Sequence, residues 1–303
     1  MNPLVIETQH LNFSFNGGQK ILKDLSLKVP KASIYGFLGP NGAGKTTTIR
    51  LLLGLLKTQS GIISLFGKDF VKNRIPVLRR VGSLIEQPSL YPHLSGKENL
   101  EIFRLSYQCD RKRIGEVLDL VGLKDAANKK AKAYSLGMKQ RLAIAVSLLH
   151  EPELLILDEP TNGLDPTGII ETRELIKKLN REFGTTIIVS SHMLAEVEKM
   201  ATHVGIINKG KLLFQGELSE LQQLKSKSSA IELEVSNTTR AREILQEHLP
   251  LKKVNGTKIQ VAYESRERNG EMNQMLVQNG VQVYQMAVTQ NDLENLFIQI
   301  TSE

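Results

Sequence analysis

Gly39-Pro40-Asn41-Gly42-Ala43-Gly44-Lys45-Thr46 is the stretch on which the reading of this chain turns. It fits the pattern G-x-x-x-x-G-K-[ST], in which glycines let the backbone wrap an anion closely and successive N–H groups point inward at a helix N-terminus. Lys45 would reach the β and γ phosphates of a nucleotide, and the Thr46 hydroxyl can ligate Mg²⁺. The flanks agree with this. Ser33-Ile34-Tyr35-Gly36-Phe37-Leu38 reads as a buried strand, and Thr46 to Leu56 carries apolar residues at helical spacing. A tight turn alone would leave Lys-Thr at that spacing unexplained.

Further along, Leu154-Leu155-Ile156-Leu157-Asp158-Glu159 is an apolar strand that ends in two acids. A carboxylate at the end of a buried strand beside a phosphate loop can hold magnesium through its water shell, which makes Asp158 the metal candidate. Strand alternation predicts that Glu159 points to the opposite side and polarises an attacking water. Alone, such a pair is only a strand end; the upstream loop gives it the chemical reading. Thr185-Thr186-Ile187-Ile188-Val189 is a second apolar run, and the charged amphipathic segment Thr167 to Phe183 between the two reads as a crossover helix joining parallel strands.

Leu11-Asn12-Phe13-Ser14-Phe15 and Leu25-Ser26-Leu27-Lys28-Val29 alternate around the turn signal Asn16-Gly17-Gly18, so an antiparallel β region is expected at the start. From Ser95 to about His150 the apolar residues recur every three or four positions, as in Ile114, Val117, Leu118 and Val121, with Gly122 as a helix stop. The polar stretch Lys225-Ser226-Lys227-Ser228-Ser229 marks a domain boundary, giving domains over 1–225 and 230–303 with a helical subdomain at about 88–150. Beyond it Ile231, Leu233 and Val235 alternate, then Ile259, Val261 and Tyr263, then Val281, Val283 and Gln285. Between and after these, Ala241 to Leu249, Glu271 to Gln278 and Leu293 to Ile300 are helix-like. A small α+β domain is expected, with a ferredoxin-like arrangement as one option.

The whole chain, 303 residues with 41% hydrophobic, suffices for about two domains of 100–200 residues. Its single cysteine, Cys109, excludes an internal disulfide framework and points to a reducing compartment. Runs such as Leu51 to Leu56 fall far short of the roughly 20 apolar residues that cross a bilayer. The start, Met1-Asn2-Pro3-Leu4, lacks the charge and apolar pattern of an export signal. A net charge of +7 suits an anionic partner, yet the basic residues are dispersed and aromatics make up only 5%, too few for a stacking platform on nucleic acid.

From about Leu11 to Gln215 the order of motifs resembles the ATP-binding subunit of an ABC transporter. Tyr134-Ser135-Leu136-Gly137-Met138-Lys139-Gln140-Arg141 is similar to the family signature that precedes the second acidic motif, here Asp158-Glu159-Pro160-Thr161. Gln87 resembles the Q-loop glutamine, His192 the switch histidine, and Phe15 the aromatic residue that stacks on adenine. Read without the family, Phe15 fits a core side chain, Gln87 turn chemistry and His192 a satisfied polar residue. The resemblance implies an α/β fold of the P-loop NTPase, ABC ATPase type, with a mixed sheet core, an antiparallel β subdomain and a helical subdomain. It implies ATP and Mg²⁺ as cofactors. The nucleotide would be held by Phe15, Gly39, Pro40, Asn41, Gly42, Ala43, Gly44, Lys45, Thr46, Thr47, Gln87, Ser135 and Gly137. The metal would be held by Thr46, Gln87 and Asp158, with catalysis by Glu159, His192 and Lys45.

The common signature of the family reads Leu-Ser-Gly-Gly-Gln, whereas Leu136 and Met138 stand here at its third and fifth positions. Ser135 and Gly137 survive, and a serine and a backbone N–H at a helix start can still meet a phosphate. Ser-Leu-Gly-Met-Lys-Gln is similar to the form found in the bacterial subgroup that exports, or gives immunity to, peptide antibiotics such as bacitracin and lantibiotics. The resemblance further implies a head-to-tail homodimer with two ATP molecules at its seam, driving a separate membrane permease from the cytoplasmic face, with no nucleic-acid partner. A regulatory ATPase that clamps a membrane partner without pumping is the alternative. DNA-maintenance members are disfavoured, because no long coiled coil separates Thr46 from Ser135.

Overall fold

A computed structural model of the chain describes residues 3–15, 18–85, 89–228, 230–246, 251–255, 258–263 and 265–289. The chain divides into two compact units, Met1–Leu218 and Ser219–Glu303.

The first unit opens with β1 (Leu4–Ser14), β2 (Lys20–Leu25), β3 (Lys28–Pro30) and β4 (Ile34–Leu38), followed by α1 (Lys45–Leu52), β5 (Ser60–Leu65) and β6 (Lys68–Asp69). α2 (Arg74–Leu78) and β7 (Val81–Leu84) lead into the helices α3 (Gly96–Tyr107), α4 (Lys112–Leu120) and α5 (Leu136–Leu148). Next come β8 (Leu154–Asp158), α6 (Pro166–Phe183), β9 (Thr186–Ser191), α7 (Leu194–Glu198), β10 (His203–Asn208) and β11 (Lys211–Glu217). An antiparallel sheet in the order β2-β1-β5-β6, with β3 also on β1, stands beside a six-stranded sheet ordered β11-β10-β4-β9-β8-β7. In the larger sheet only β11 runs antiparallel to its neighbour. Every residue of β4, β8 and β9 is buried, as parallel strands covered on both faces must be, which explains their unbroken apolar runs. Gly36 in β4 is required by packing: a Cβ there would lie 2.1 Å from Val197 Cγ1 on α7.

Two sequence expectations need correction. Leu25 to Val29 is not one strand but the end of β2 and the start of β3. The break is filled by buried Thr8, whose Oγ1 donates to Leu25 O at 2.9 Å and accepts from Leu27 N at 2.8 Å, so a side chain takes the ladder positions. The first helix stops at Leu52 instead of running to Leu56, because Leu53 and Gly54 turn the chain. The residues between about 95 and 150 are mainly helical. α5 buries Gln140, Leu142, Ala143, Ile144, Ala145, Ser147 and Leu148 around most of its girth, packed among α3, α4, α6 and β7.

α8 (Leu218–Ser228) starts on the last residue of the first unit, and the second unit goes on with β12 (Ala230–Val235), α9 (Thr238–Gln246), β13 (Leu251–Asn255), β14 (Lys258–Ala262), α10 (Arg266–Gln278) and β15 (Val283–Thr289). Lys225 to Ser228, part of the polar stretch read from sequence as a domain boundary, continue α8. The sheet runs β13-β14-β12-β15 with every neighbouring pair antiparallel. Ile231, Leu233, Ile259 and Val261 alternate onto one face and pack with Ala241 and Leu245 of α9 and Met272 and Leu276 of α10. The helix expected at Leu293 to Ile300 lies outside the described residues. Among the described residues no helix is long and apolar enough to cross a membrane.

Candidate active site

β4 delivers the chain to Gly39, and the loop closes where α1 begins at Lys45. Gly44 caps that helix with φ 113, and a Cβ at this position would stand 2.7 Å from Leu22 Cδ2, so only glycine allows the turn. The first turn of α1 therefore leaves its backbone N–H groups facing the loop, where the helix dipole favours an anion. Lys45 is almost wholly buried: its Nζ donates to Gly39 O at 2.6 Å and lies 3.2 Å from Glu159 Oε1. A buried ammonium held by neutral carbonyls alone would be costly, and the Glu159 carboxylate offsets its charge.

β8 ends at Asp158, a carboxylate 2% exposed. Thr46 Oγ1 donates to its Oδ2 at 2.8 Å, and Ser190 Oγ donates to its Oδ1. Glu159 does not continue the pleat, so strand alternation is not what directs it. Its backbone is left-handed, φ 48, and its N–H donates to Ser190 Oγ at 2.9 Å. Turned in this way, Glu159 meets Lys45 through Oε1 and His192 through Oε2, the latter at 2.9 Å from Nδ1. A carboxylate only accepts, so Nδ1 of His192 donates.

Lys45, Thr46, Asp158, Glu159 and His192 thus come together just beyond the carboxyl ends of β4, β8 and β9, neighbouring parallel strands, which is where open α/β sheets place their ligand sites. Ser190 belongs to the same cluster and was missed in the sequence. Its signal there is no more than a place in the pair of serines that closes β9 after the apolar run Ile187 to Val189. The oxygen set fits Mg²⁺, which prefers hard oxygen ligands and keeps several waters: one hydroxyl and one buried carboxylate, already oriented, lie beside the anion-binding loop.

Of the other predicted residues, Phe15, Ser135 and Gly137 lie on or next to other elements, and Thr47 adjoins the cluster. Phe15 is 48% exposed just past β1, its ring perpendicular to that of Phe13 with centroids 5.0 Å apart, so it is not a core side chain. Ser135 is the N-cap of α5, accepting from Met138 N at 3.2 Å, and a Cβ on Gly137 would have Gly168 Cα, at 3.8 Å, as its neighbour. Among the described residues neither makes a hydrogen bond to the phosphate loop. Thr47 follows Thr46 in the first turn of α1. Gln87 lies outside the described residues.

Comparison with known proteins adds to this geometry. The profile of the family described as ABC transporter matches residues 22–162. The chain is 44% identical over 299 residues to the bacitracin transport ATP-binding protein BcrA of Bacillus licheniformis, covering 98% of this chain and 97% of that one. It is 42% identical over 221 residues to the lantibiotic transport ATP-binding protein SrtF of Streptococcus pyogenes, covering 73% and 94%. Among solved structures it resembles the ATP-binding cassette MJ0796 in a dimeric post-hydrolysis state bound to ADP and Pi, with TM-score 0.63, 25% identity, and coverage of 70% of this chain and 98% of that one.

Proposed function

We propose that this chain, which belongs to the ABC transporter family and is an ABC-type ATPase, hydrolyses ATP between two copies of itself arranged head to tail, and so drives a separate membrane permease. The observation that carries the proposal is Glu159: one carboxylate in contact with both Lys45 and His192, beside the buried carboxylate of Asp158. In this reading the loop from Gly39 to Thr46 and the N-terminus of α1 bind the phosphates. Lys45 leaves its carbonyl and carboxylate partners to reach the γ phosphate. Glu159, released from Lys45, orients and deprotonates the attacking water, and His192 holds the free carboxylate in place. Thr46 and Asp158, with Gln87, would hold Mg²⁺, whose charge when bound offsets that of the β and γ phosphates.

Among the described residues Ser135 and Gly137 make no hydrogen bond to their own loop, and in this reading the start of α5 on one copy would close over the nucleotide held by the other. Triphosphate makes contacts across that seam that diphosphate cannot, so ATP favours the closed pair and hydrolysis the open one. Phe15 would stack on adenine. The relatives named for bacitracin and lantibiotic transport support an exported peptide antibiotic as cargo, with this subunit seated on the cytoplasmic face of the membrane through its permease.

Replacement of Glu159 by Gln tests the reading. Steady-state ATP hydrolysis should fall by about 10²–10⁴-fold, the range for loss of a general base. Nucleotide binding should persist, and the ATP-bound variant should run as a dimer in light scattering. Undiminished turnover in Glu159→Gln would remove Glu159 from its role.

A further inference from the structure

The geometry points to Ser190 as a positioning residue of this ATPase, one buried hydroxyl that fixes both members of the Asp158-Glu159 pair; the inference rests on the ATP-hydrolysing reading above. Ser190 is fully buried and is the register partner of Asp158 in the parallel β8/β9 pair, so the two side chains share a face. Its Oγ donates to Asp158 Oδ1 and accepts from Glu159 N at 2.9 Å. A hydroxyl carries one proton and two lone pairs. The Glu159 N–H fills one acceptor position, and the carboxylate can only accept, so the direction of both bonds is set without choice.

Two effects follow at the reacting end of the site. The Asp158 carboxylate is clamped from both sides, by Thr46 on Oδ2 and Ser190 on Oδ1, so its rotation is locked and its remaining lone pairs face a fixed direction. These are the lone pairs that the waters of a hydrated Mg²⁺ would meet, and partners of this kind govern how well a ligand holds its metal. The second effect concerns Glu159. A left-handed backbone is unfavourable for a residue with a Cβ, and the bond from its N–H to Ser190 holds the chain in that turn, from which the carboxylate reaches Lys45 and His192. Neighbouring Ser191 does something different, accepting from Met193 N at 2.9 Å, so the two serines are not interchangeable.

The experiment uses the full chain with Ser190→Ala and Ser190→Thr. Threonine keeps the hydroxyl and suits a buried strand. Readouts are kcat and KM for ATP, Mn²⁺ affinity by electron paramagnetic resonance with a non-hydrolysable ATP analogue, and amide exchange at Glu159 without nucleotide. Ser190→Ala should lower kcat and weaken Mn²⁺ binding, each by roughly 10–100-fold, leave KM little changed, and speed exchange of the Glu159 amide. Ser190→Thr should recover most of each loss. Parent values of kcat, Mn²⁺ affinity and exchange in Ser190→Ala would overturn the inference. So would equal losses of turnover in the Ala and Thr variants with Mn²⁺ binding untouched. A parent chain that hydrolyses no ATP would instead overturn the function proposed above, and the Mn²⁺ and exchange measurements would still decide the role of Ser190.

Discussion

At the scale of single residues, His150 shows how burial without full satisfaction creates a pH dependence. Its Nε2 lies 3.1 Å from Val81 O, its Nδ1 is buried with no hydrogen-bond partner among the described residues, and its ring stacks on Tyr107 at 4.5 Å. Burial pushes the imidazole below its usual range, and the bond to the Val81 carbonyl only partly restores it. Below about pH 6.5 the unfolded chain takes up a proton that the folded one resists. The contribution of neutral His150 is therefore complete above that pH and is lost as pH falls through the lowered folded value. In a His150→Gln variant the unfolding midpoint should drop less than the parent's between pH 6.5 and 5.5, and equal drops would remove His150 as the cause. Lys45, Thr46 and Asp158 were legible in the sequence because each sits in a contiguous pattern whose chemistry needs that residue type. Ser190 and the true direction of Glu159 were not. Both depend on which residue of β9 lies beside Asp158 and on one backbone angle, and neither is written in local periodicity.

At the scale of elements the helices were legible as periodic stretches but their first residues were not: α6, α9 and α10 begin at Pro166, Thr238 and Arg266, ahead of the Thr167, Ala241 and Glu271 read from periodicity, although a helix start is a local event. Ser95 Oγ accepts from Glu98 N at 3.2 Å while Glu98 Oε2 accepts from Ser95 N at 2.7 Å, so two otherwise orphaned N–H groups at the start of α3 are satisfied reciprocally. The bond from the Ser95 backbone holds the Glu98 carboxyl below its usual range. Ser95→Ala should cost about 0.5–2 kcal/mol in denaturant unfolding and leave ATP affinity unchanged, since among the described residues this cap makes no hydrogen bond to a candidate site residue. No change in stability would show that α3 stands by packing alone. Strand breaks were harder to read. The join of β2 and β3 depends on a Thr8 hydroxyl from another strand, and alternation alone cannot reveal a partner so distant in sequence. The helical region was recognisable, but α5 is covered around most of its girth and offers little amphipathic contrast from which to read its facing.

Across the whole molecule, each unit carries its own buried core. Ile6, Leu11, Phe37, Ile49 and Ile156 belong to the first, and Ile231, Leu233, Ile259, Val261 and Leu276 to the second. Calorimetry should therefore resolve two unfolding transitions. ATP with Mg²⁺ at a hundredfold excess over Kd should stabilise the transition of the first unit by about 2.7 kcal/mol and leave the other where it was. A single transition, or a joint shift, would show that the two melt as one. On its solvent side the second sheet pairs Glu232 with Lys258 at 2.6 Å, so that face needs no apolar cover. A unit that carries its own interior is an exchangeable cartridge in outline, and a chain cut back to residues 1–218 should still fold around its own core.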